Sequence, residues 1–514
     1  MKEKIEKVKT KKLRSTHAEE FLARVAQSEQ KKGLLNTIDR VENITEEEKQ
    51  EAMIDLKDKN RELSTEKKLN TEKNEKINNI KNKIKELKSA IDNLKKQKTT
   101  VKMHRHAPKK TQKLKFPEGF LWGTASSSYQ IEGGIVNNWS KWEKSDKRKK
   151  EIEKQGEELN DFICGNACDS YNRYDEDFKL AKKMHNNCIR LGIEWARIQP
   201  RQDTWNVYAI KHYRKMLETA KKKGLTTFVT LWHWTEPSWF TKLESWEKKK
   251  NIKYFLNFVD LVIKEMGANI DYWVILNEPI MKIFGGYLRA YHPPQKRSLI
   301  LANKVFNNLA IAHKESYKMI HEYFDEAQVG CANMLNYFEP ADKWNPLEQA
   351  ISKTAGWYWN KRFLNSIKKY QDYVGINYYF HDRIAWYPPF RANKNEWVND
   401  NGWEIYPKGM YHVLKLASQY NKPIFITENG LSDKKDKNRI KFIKEHLRYV
   451  HRAVEEGVDV QGYMHWSLLD NFEWSYGWKL KFGLHEVNRK TFKRSARPSA
   501  EEYGKICKNN EIEL

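Results

Sequence analysis

Two glutamates close apolar runs in this 514-residue chain, Glu278 in YWVILNEP (272–279) and Glu428 in PIFITENG (423–430). Other residues able to do chemistry sit in similar runs: Arg190 in CIRLGIEW (188–195), His233 in TTFVTLWHW (226–234), and Asn377 and Tyr379, two residues apart, in YVGINYYF (373–380). One carboxyl kept protonated can give a proton to a leaving oxygen while a second, kept ionised, attacks carbon or activates water. That division of labour is what cleavage of a glycosidic bond requires. Either motif alone carries little weight, because a Glu before Pro or before Asn-Gly is ordinarily a surface cap or turn residue. His233 alone reads better as a satisfied core histidine, HWTE is a poor metal motif, and any single Trp is core by default. Only the recurrence of polar residues at nearly every run's end raises them together.

The elements that must position these residues are regular. FLWGTAS (120–126), the five runs just quoted, QVGCANML (328–335) and VQGYMHWSLL (460–469) make eight candidate strands. Between them lie amphipathic stretches such as AIKHYRKMLETAKKKG and DKNRIKFIKEHLRYVHRAVEEG, which end in basic residues and Gly as helix C-termini do. Eight strand–helix repeats favour an α/β fold of the closed (β/α)8 type, a TIM barrel, over an open doubly wound sheet, and place chemistry at the strands' C-terminal ends. No Gly-rich phosphate loop and no paired zinc-ligand spacing is present, so neither cofactor nor metal is expected. Period-2 alternation points Asn377 and Tyr379 inward with Tyr378 away, and Ile424, Ile426 and Glu428 into the barrel.

Composition changes near residue 116. All 19 Trp and all 25 Tyr follow that point, and residues 1–115 hold one Gly, one Pro and, as their single aromatic, Phe21. This leaves residues 1–103 as a Lys-rich extension that is helical and coiled-coil or disordered, 104–115 as a basic linker, 116–508 as the barrel and 509–514 as a C-terminal tail. Ile77, Ile80, Ile84, Leu87, Ile91 and Leu94 alternate steps of three and four, so 77–94 offers a short heptad seam for self-association or a protein partner. The net charge of +26 divides evenly. Residues 1–115 have 32 Lys and Arg against 19 Asp and Glu, which makes the extension strongly basic, but Lys interleaved with Glu is the mark of a solvated helix face rather than a nucleic-acid arm. The two His of HRHAPKKTQKLK are a weak metal signal. Five cysteines without pairing, no signal-like N-terminus and no membrane-length apolar run point to a reducing, cytoplasmic setting.

Taken in order, FPEGFLWGTASSSYQIEGG, ACDSYNRYDEDFKLAKK, IRLGIEWARIQP, YWVILNEP, VGINYYF, ITENG, HWSLLDNFEW and RPSAEEY resemble glycoside hydrolase family 1, the retaining β-glucosidases and β-galactosidases, over about residues 116–505. The resemblance implies a (β/α)8 barrel acting on a small β-glycoside or short oligosaccharide. It implies Glu428 as nucleophile forming a covalent glycosyl-enzyme, Glu278 as acid and then base, Arg190 and Tyr379 beside the nucleophile, and Asn377 in the same constellation. It further implies Gln130, His233, Asn277, Glu473 and Trp474 around the non-reducing sugar and Trp466 as its stacking platform. A carboxylate at Glu473 would repel a 6-phosphate, so an unphosphorylated glucoside, galactoside or fucoside is expected.

Several positions depart from the family's usual pattern. Glu194 stands where many members have Ser, four residues beyond Arg190, placed to pair with a barrel cation or to compete for Arg190. HWTEPSWF replaces the commoner HWDLP, Asn172 a usual His, and Lys481 a frequent Arg. Two readings compete with hydrolysis: a catalytically weak sugar-binding barrel serving as a scaffold presented by the tail, and a transglycosidase in which a second sugar intercepts the same intermediate.

Overall fold

Eight short strands, each followed by a helical crossover, close on themselves in the computed structural model. The strands are β1 (Leu121–Ala125), β2 (Cys188–Gly192), β3 (Thr226–Trp232), β4 (Tyr272–Asn277), β5 (Gln328–Met334), β6 (Tyr373–Asn377), β7 (Ile424–Asn429) and β8 (Val460–Trp466). Each pairs in parallel with its neighbour in sequence, and β8 closes on β1. The barrel is the (β/α)8 architecture that strand–helix alternation implies.

The structure describes residues 112–514 and four isolated helical, exposed positions, Asn82, Lys83, Lys85 and Ser89. The seam residues of 77–94 and the His pair at 104 and 106 lie outside the described residues, as do the partner readings attached to them. Among the described residues no helix is long and apolar enough to cross a membrane, no His, Cys and carboxylate cluster suits a metal, and all five cysteines are buried thiols.

The crossover helices form for reasons visible in their sequences. In Val207–Lys222, Asn206 caps the first turn through Tyr208 N and Ala209 N. Ala209, Ile210, Tyr213, Met216, Leu217 and Ala220 then supply a buried stripe at three- and four-residue spacing. Gly224, at φ +67°, ends the element in a conformation that suits glycine. Arg439–Glu455 repeats the buried stripe, with Phe442, Ile443, Leu447 and Val450 buried, though Asn438 makes no side-chain cap.

Inside the barrel the floor is aromatic. Phe228 and Tyr272 stack with ring centroids 4.2 Å apart, and Phe425 lies 5.1 Å from each. Tyr373 completes the plug, its hydroxyl donating to the Trp273 carbonyl at 3.0 Å. This corrects the inward assignment of Ile424 and Ile426. Phe425 fills the barrel, while Ile424 and Ile426 pack in the outer core between sheet and helices. Glu428 nevertheless faces the site because β7 carries a bulge. Ile426 pairs with Ile376 and Glu428 with the next residue, Asn377, so Thr427 is extra and the alternation is reset.

A second difference lies at the ends of the domain. Lys113–Lys115, expected in the linker, pairs antiparallel with Glu511–Glu513, expected in the tail. Ile512 is fully buried, Asn510 accepts from Trp122 Nε1 at 2.8 Å, and Lys113 bridges Glu511 and Glu513. With one apolar residue in each three-residue strand, the ribbon has no periodicity to read. Ile512→Ala should cost about 2–4 kcal/mol of stability, as loss of a buried aliphatic side chain does. Urea unfolding checks this, and an unchanged midpoint would show that the ribbon does not fasten the domain.

Candidate active site

The strand ends bring all eleven sequence-derived residues to the barrel's C-terminal mouth or directly beneath it. Arg190, on β2, is fully buried and distributes its donors over three other strands. Nη1 donates to Glu428 Oε1 at 2.6 Å and to the Thr427 carbonyl at 3.3 Å, Nη2 to Asn277 Oδ1 at 2.5 Å, and Nε to Thr230 Oγ1 at 3.1 Å. Tyr379 donates its hydroxyl to Glu428 Oε2 at 2.9 Å. Both Glu428 oxygens are thus engaged by donors, one of them charged.

Glu278 has different company. Its Oε1 accepts a single protein hydrogen bond, 2.7 Å from Asn377 Nδ2, and among the described residues it has no ion-pair partner. Thr427 Oγ1 donates to Asn377 Oδ1 at 2.7 Å, which fixes the orientation of that amide. Burial raises the Glu278 carboxyl well above the ordinary range, and the Glu428 charge raises it further. Burial raises Glu428 as well, but Arg190 and the Tyr379 hydroxyl pull against it. A single proton shared by the two therefore resides on Glu278. The backbone at Glu278 is left-handed, at φ 43°, between the last residue of β4 and Pro279 at the first position of a helix. Such conformations persist where the surroundings hold them, here a bond from Glu278 N to the Ala332 carbonyl at 2.8 Å.

Beside the acids lies a polar half-pocket. Asn277 Nδ2 and His233 Nε2 are 2.9 Å apart, and burial holds His233 well below its usual pKa, so its ring is neutral. Gln130 Nε2 approaches Glu473 Oε2 at 3.3 Å, Asn471 Oδ1 at 3.0 Å and the Phe472 carbonyl at 2.9 Å, while Ser127 donates to Gln130 Oε1. Burial and the Glu428 charge push Glu473 up to about 8. Trp474 stacks on His233 with centroids 5.7 Å apart, and Trp466 lies 6.3 Å from the same ring. Gln130, His233, Asn277, Trp466, Glu473 and Trp474 line one cavity with Glu278, Glu428 and Tyr379.

Sequence reasoning missed Thr230, Thr427, Trp234, Tyr291, Met281, Met334 and Trp403. Thr230 was discoverable, since it stands two residues beyond the inward Phe228. Thr427 stands likewise two residues beyond the inward Phe425, and was hidden by the inward assignment of Ile424 and Ile426. Met334 ends β5 and Met281 lies in the short helix Pro279–Ile283, while Trp234, Tyr291 and Trp403 come from loops, where no period applies.

The departures also find places. Glu194 does not touch Arg190 and, among the described residues, has no cation within salt-bridge distance. Its carboxyl accepts from Thr235 Oγ1 at 2.9 Å, Ser128 Oγ at 3.2 Å and Asn137 Nδ2 at 3.4 Å, tying the segment after β1, which carries Gln130, to that after β3, which carries His233. Glu236 of HWTEPSWF forms a buried pair with Lys282 at 2.6 Å, anchoring the helix that follows Glu278. Asn172 bonds Asp169 at the surface, and Lys481 lies over the Trp478 ring.

A closed (β/α)8 barrel with two buried carboxyls at its mouth, one charge-compensated and one not, is the scaffold of a paired-carboxylate hydrolase. The chain belongs to glycosyl hydrolase family 1, whose sequence model matches residues 112–398 and 364–512, and it is a glycosyl hydrolase. β-Glucosidase A of Thermotoga maritima is 31% identical over 447 residues, covering 78% of this chain and 99% of that protein. Among solved structures, a β-glycosidase from Pyrococcus horikoshii is 35% identical with a TM-score of 0.69, covering 78% of this chain and 96% of its own. A β-glucosidase from Thermotoga maritima in complex with deoxynojirimycin is 30% identical, also with a TM-score of 0.69, over 77% of this chain and 99% of its own.

Burial raises the Glu194 carboxyl, its hydroxyl and amide donors lowering it in part. A carboxyl that binds its proton more tightly folded than unfolded makes its stabilising contribution at low pH, and that contribution falls as pH rises through the folded-state value. Glu194→Gln, which keeps an acceptor and cannot ionise, should therefore gain stability relative to the parent between pH 5 and pH 8. Glu194→Ala, which leaves Thr235 and Ser128 unpaired, should lose about 1–3 kcal/mol at pH 5 and recover toward the parent by pH 8 in parallel with the Gln variant. Denaturant titrations at the two pH values read both, and a pH-independent difference for the Gln variant would refute the buried-acid assignment.

Proposed function

We propose that the protein is a retaining exo-β-glycosidase that removes terminal non-reducing β-D-glucosyl, galactosyl or fucosyl residues by double displacement. The observation that carries this reading is the unequal environment of the two acids: Glu428 is held between Arg190 and Tyr379, whereas Glu278 is buried with no ion-pair partner among the described residues. In the first step a Glu428 oxygen attacks the anomeric carbon, the bond to the aglycone oxygen breaks, and the Glu278 proton moves to that oxygen. Ester formation removes the negative charge that kept Glu278 protonated, so Glu278 is free to act as base. In the second step water attacks the anomeric carbon, its proton passes to Glu278, and Glu428 leaves as the carboxylate that Arg190 stabilises. In this reading Asn277, held by Arg190 and His233, bonds the sugar 2-hydroxyl, where a hydrogen bond strengthens as the ring acquires oxocarbenium character.

Glu428→Ala should abolish release of nitrophenol from aryl β-glucosides and β-galactosides, and azide should restore turnover with a product of inverted configuration. A fully active Glu428→Ala protein would end the proposal.

Because burial raises Glu428 and raises Glu278 further, kcat/KM should be bell-shaped, with its acid limb above the ordinary Glu range and its alkaline limb set by Glu278. Glu278→Gln should erase the alkaline limb and lower kcat/KM about 10²–10⁴-fold for poor leaving groups, with far less loss for dinitrophenyl glycosides that need no proton. Equal loss on both substrates would assign the proton to another group.

A further inference from the structure

Three buried polar atoms without a protein partner gather around one groove on the flank of the barrel. Asn336 Oδ1, Ser352 Oγ and His412 Nε2 make no hydrogen bond among the described residues, and all three residues line the groove. Its walls come from the strand Tyr337–Pro340, the helix Pro346–Gly356 and the helix Pro407–Ala417. It shares no lining residue with the cavity that holds Glu278 and Glu428. Asn336 and Ser352 are each 6% exposed, and polar groups so buried are normally paired. Beside them Trp357 lines the same groove at 52% exposure. It opens the π-helical turn Trp357–Lys361, an irregularity of the kind that recurs at functional sites. Asn360 of that turn accepts from Asn336 N at 3.0 Å and donates to the Asn336 carbonyl at 2.8 Å, so the turn carrying Trp357 also fixes Asn336.

The chemistry of these groups selects among ligands. An apolar segment would cover the indole but leave a hydroxyl, an amide oxygen and a ring nitrogen unpaired, which opposes binding. An anion would meet the Asn336 oxygen, which only accepts, and a His412 ring whose pKa burial lowers; of the two lysines Lys361 already donates to Gln419 at 3.2 Å. A pyranose has an apolar C–H face for an aromatic ring and an edge of hydroxyls that both donate and accept. We propose that this groove is a second, non-catalytic carbohydrate site that takes one pyranose unit of a neutral glycan, its ring on Trp357 and its hydroxyls on Ser352, His412 and Asn336. The three polar atoms lie just under the groove's surface, and side-chain rotation of the sort common on binding brings Ser352 and His412 to the ligand. The proposal stands on this groove alone and not on the glycosidase reading, so either can fail without the other.

The test is fluorine NMR on the full-length protein carrying fluorotryptophan, with the Trp357 resonance assigned by its loss in Trp357→Phe. Thiocellobiose, whose sulfur link resists hydrolysis, should move that resonance and saturate the change, whereas inorganic phosphate and butanol should leave it in place. Ser352→Ala should weaken the Trp357 response to thiocellobiose about 2- to 10-fold in apparent affinity, the worth of one hydrogen bond. The same variant should keep the parent's Tm, because the deleted hydroxyl has no partner to lose, and the parent's kcat/KM on nitrophenyl β-glucoside. A Trp357 resonance that ignores the sugar, or that follows phosphate or butanol instead, would overturn the proposal. So would a sugar response unchanged in Ser352→Ala, since the signal would then be transmitted from the catalytic cavity.

Discussion

A carboxylate buried at the mouth of a barrel must have its charge answered, and here Arg190 answers it. The guanidinium spends its donors on Glu428, the Thr427 carbonyl, Asn277 and Thr230, so one planar group joins β2, β3, β4 and β7. A Lys at this position would supply the charge but not the fork, and the strands would lose their common anchor. Removing the cation altogether would leave an uncompensated charge inside the protein, among the more costly defects a fold can carry. The electrostatics of the site and the closure of the barrel are therefore one arrangement.

The two acids differ in what surrounds them and not in what they are. Glu428 receives a cation and a phenol; Glu278 receives one neutral amide, already oriented by Thr427. Three of the residues at the mouth, Glu278, Trp234 and Trp474, have positive φ. Left-handed residues with bulky side chains are retained where neighbouring contacts hold them, and the Trp234–Trp474 contact, with centroids 4.7 Å apart, makes two of the three hold each other.

Much of this was legible in the chain. Eight apolar runs separated by amphipathic stretches imply the barrel, and polar residues at the ends of those runs imply where it works. Asn377, Tyr378 and Tyr379 follow strict alternation and lie as alternation requires. In β7 the same rule fails below Glu428, because a bulge is an extra residue and leaves no trace in hydrophobic period. Glu194 shows another limit. Its position four residues past Arg190 suggested a charged partner, yet its partners come from segments far apart in sequence, and what it meets is a set of hydroxyls and an amide. The ribbon joining residues 113–115 to 511–513 was hidden because three-residue strands carry no period at all.

The aromatic floor has a consequence for the order of events. Phe228, Tyr272, Tyr373 and Phe425 fill the barrel below Arg190 and close it on that side. Under the proposed mechanism, whatever ends the life of the glycosyl-enzyme must come in by the route the aglycone has just used. Water and any competing alcohol then stand in one queue behind the departing product. Under that mechanism, partition between hydrolysis and transfer is set at the shared doorway and not by the two carboxyl groups.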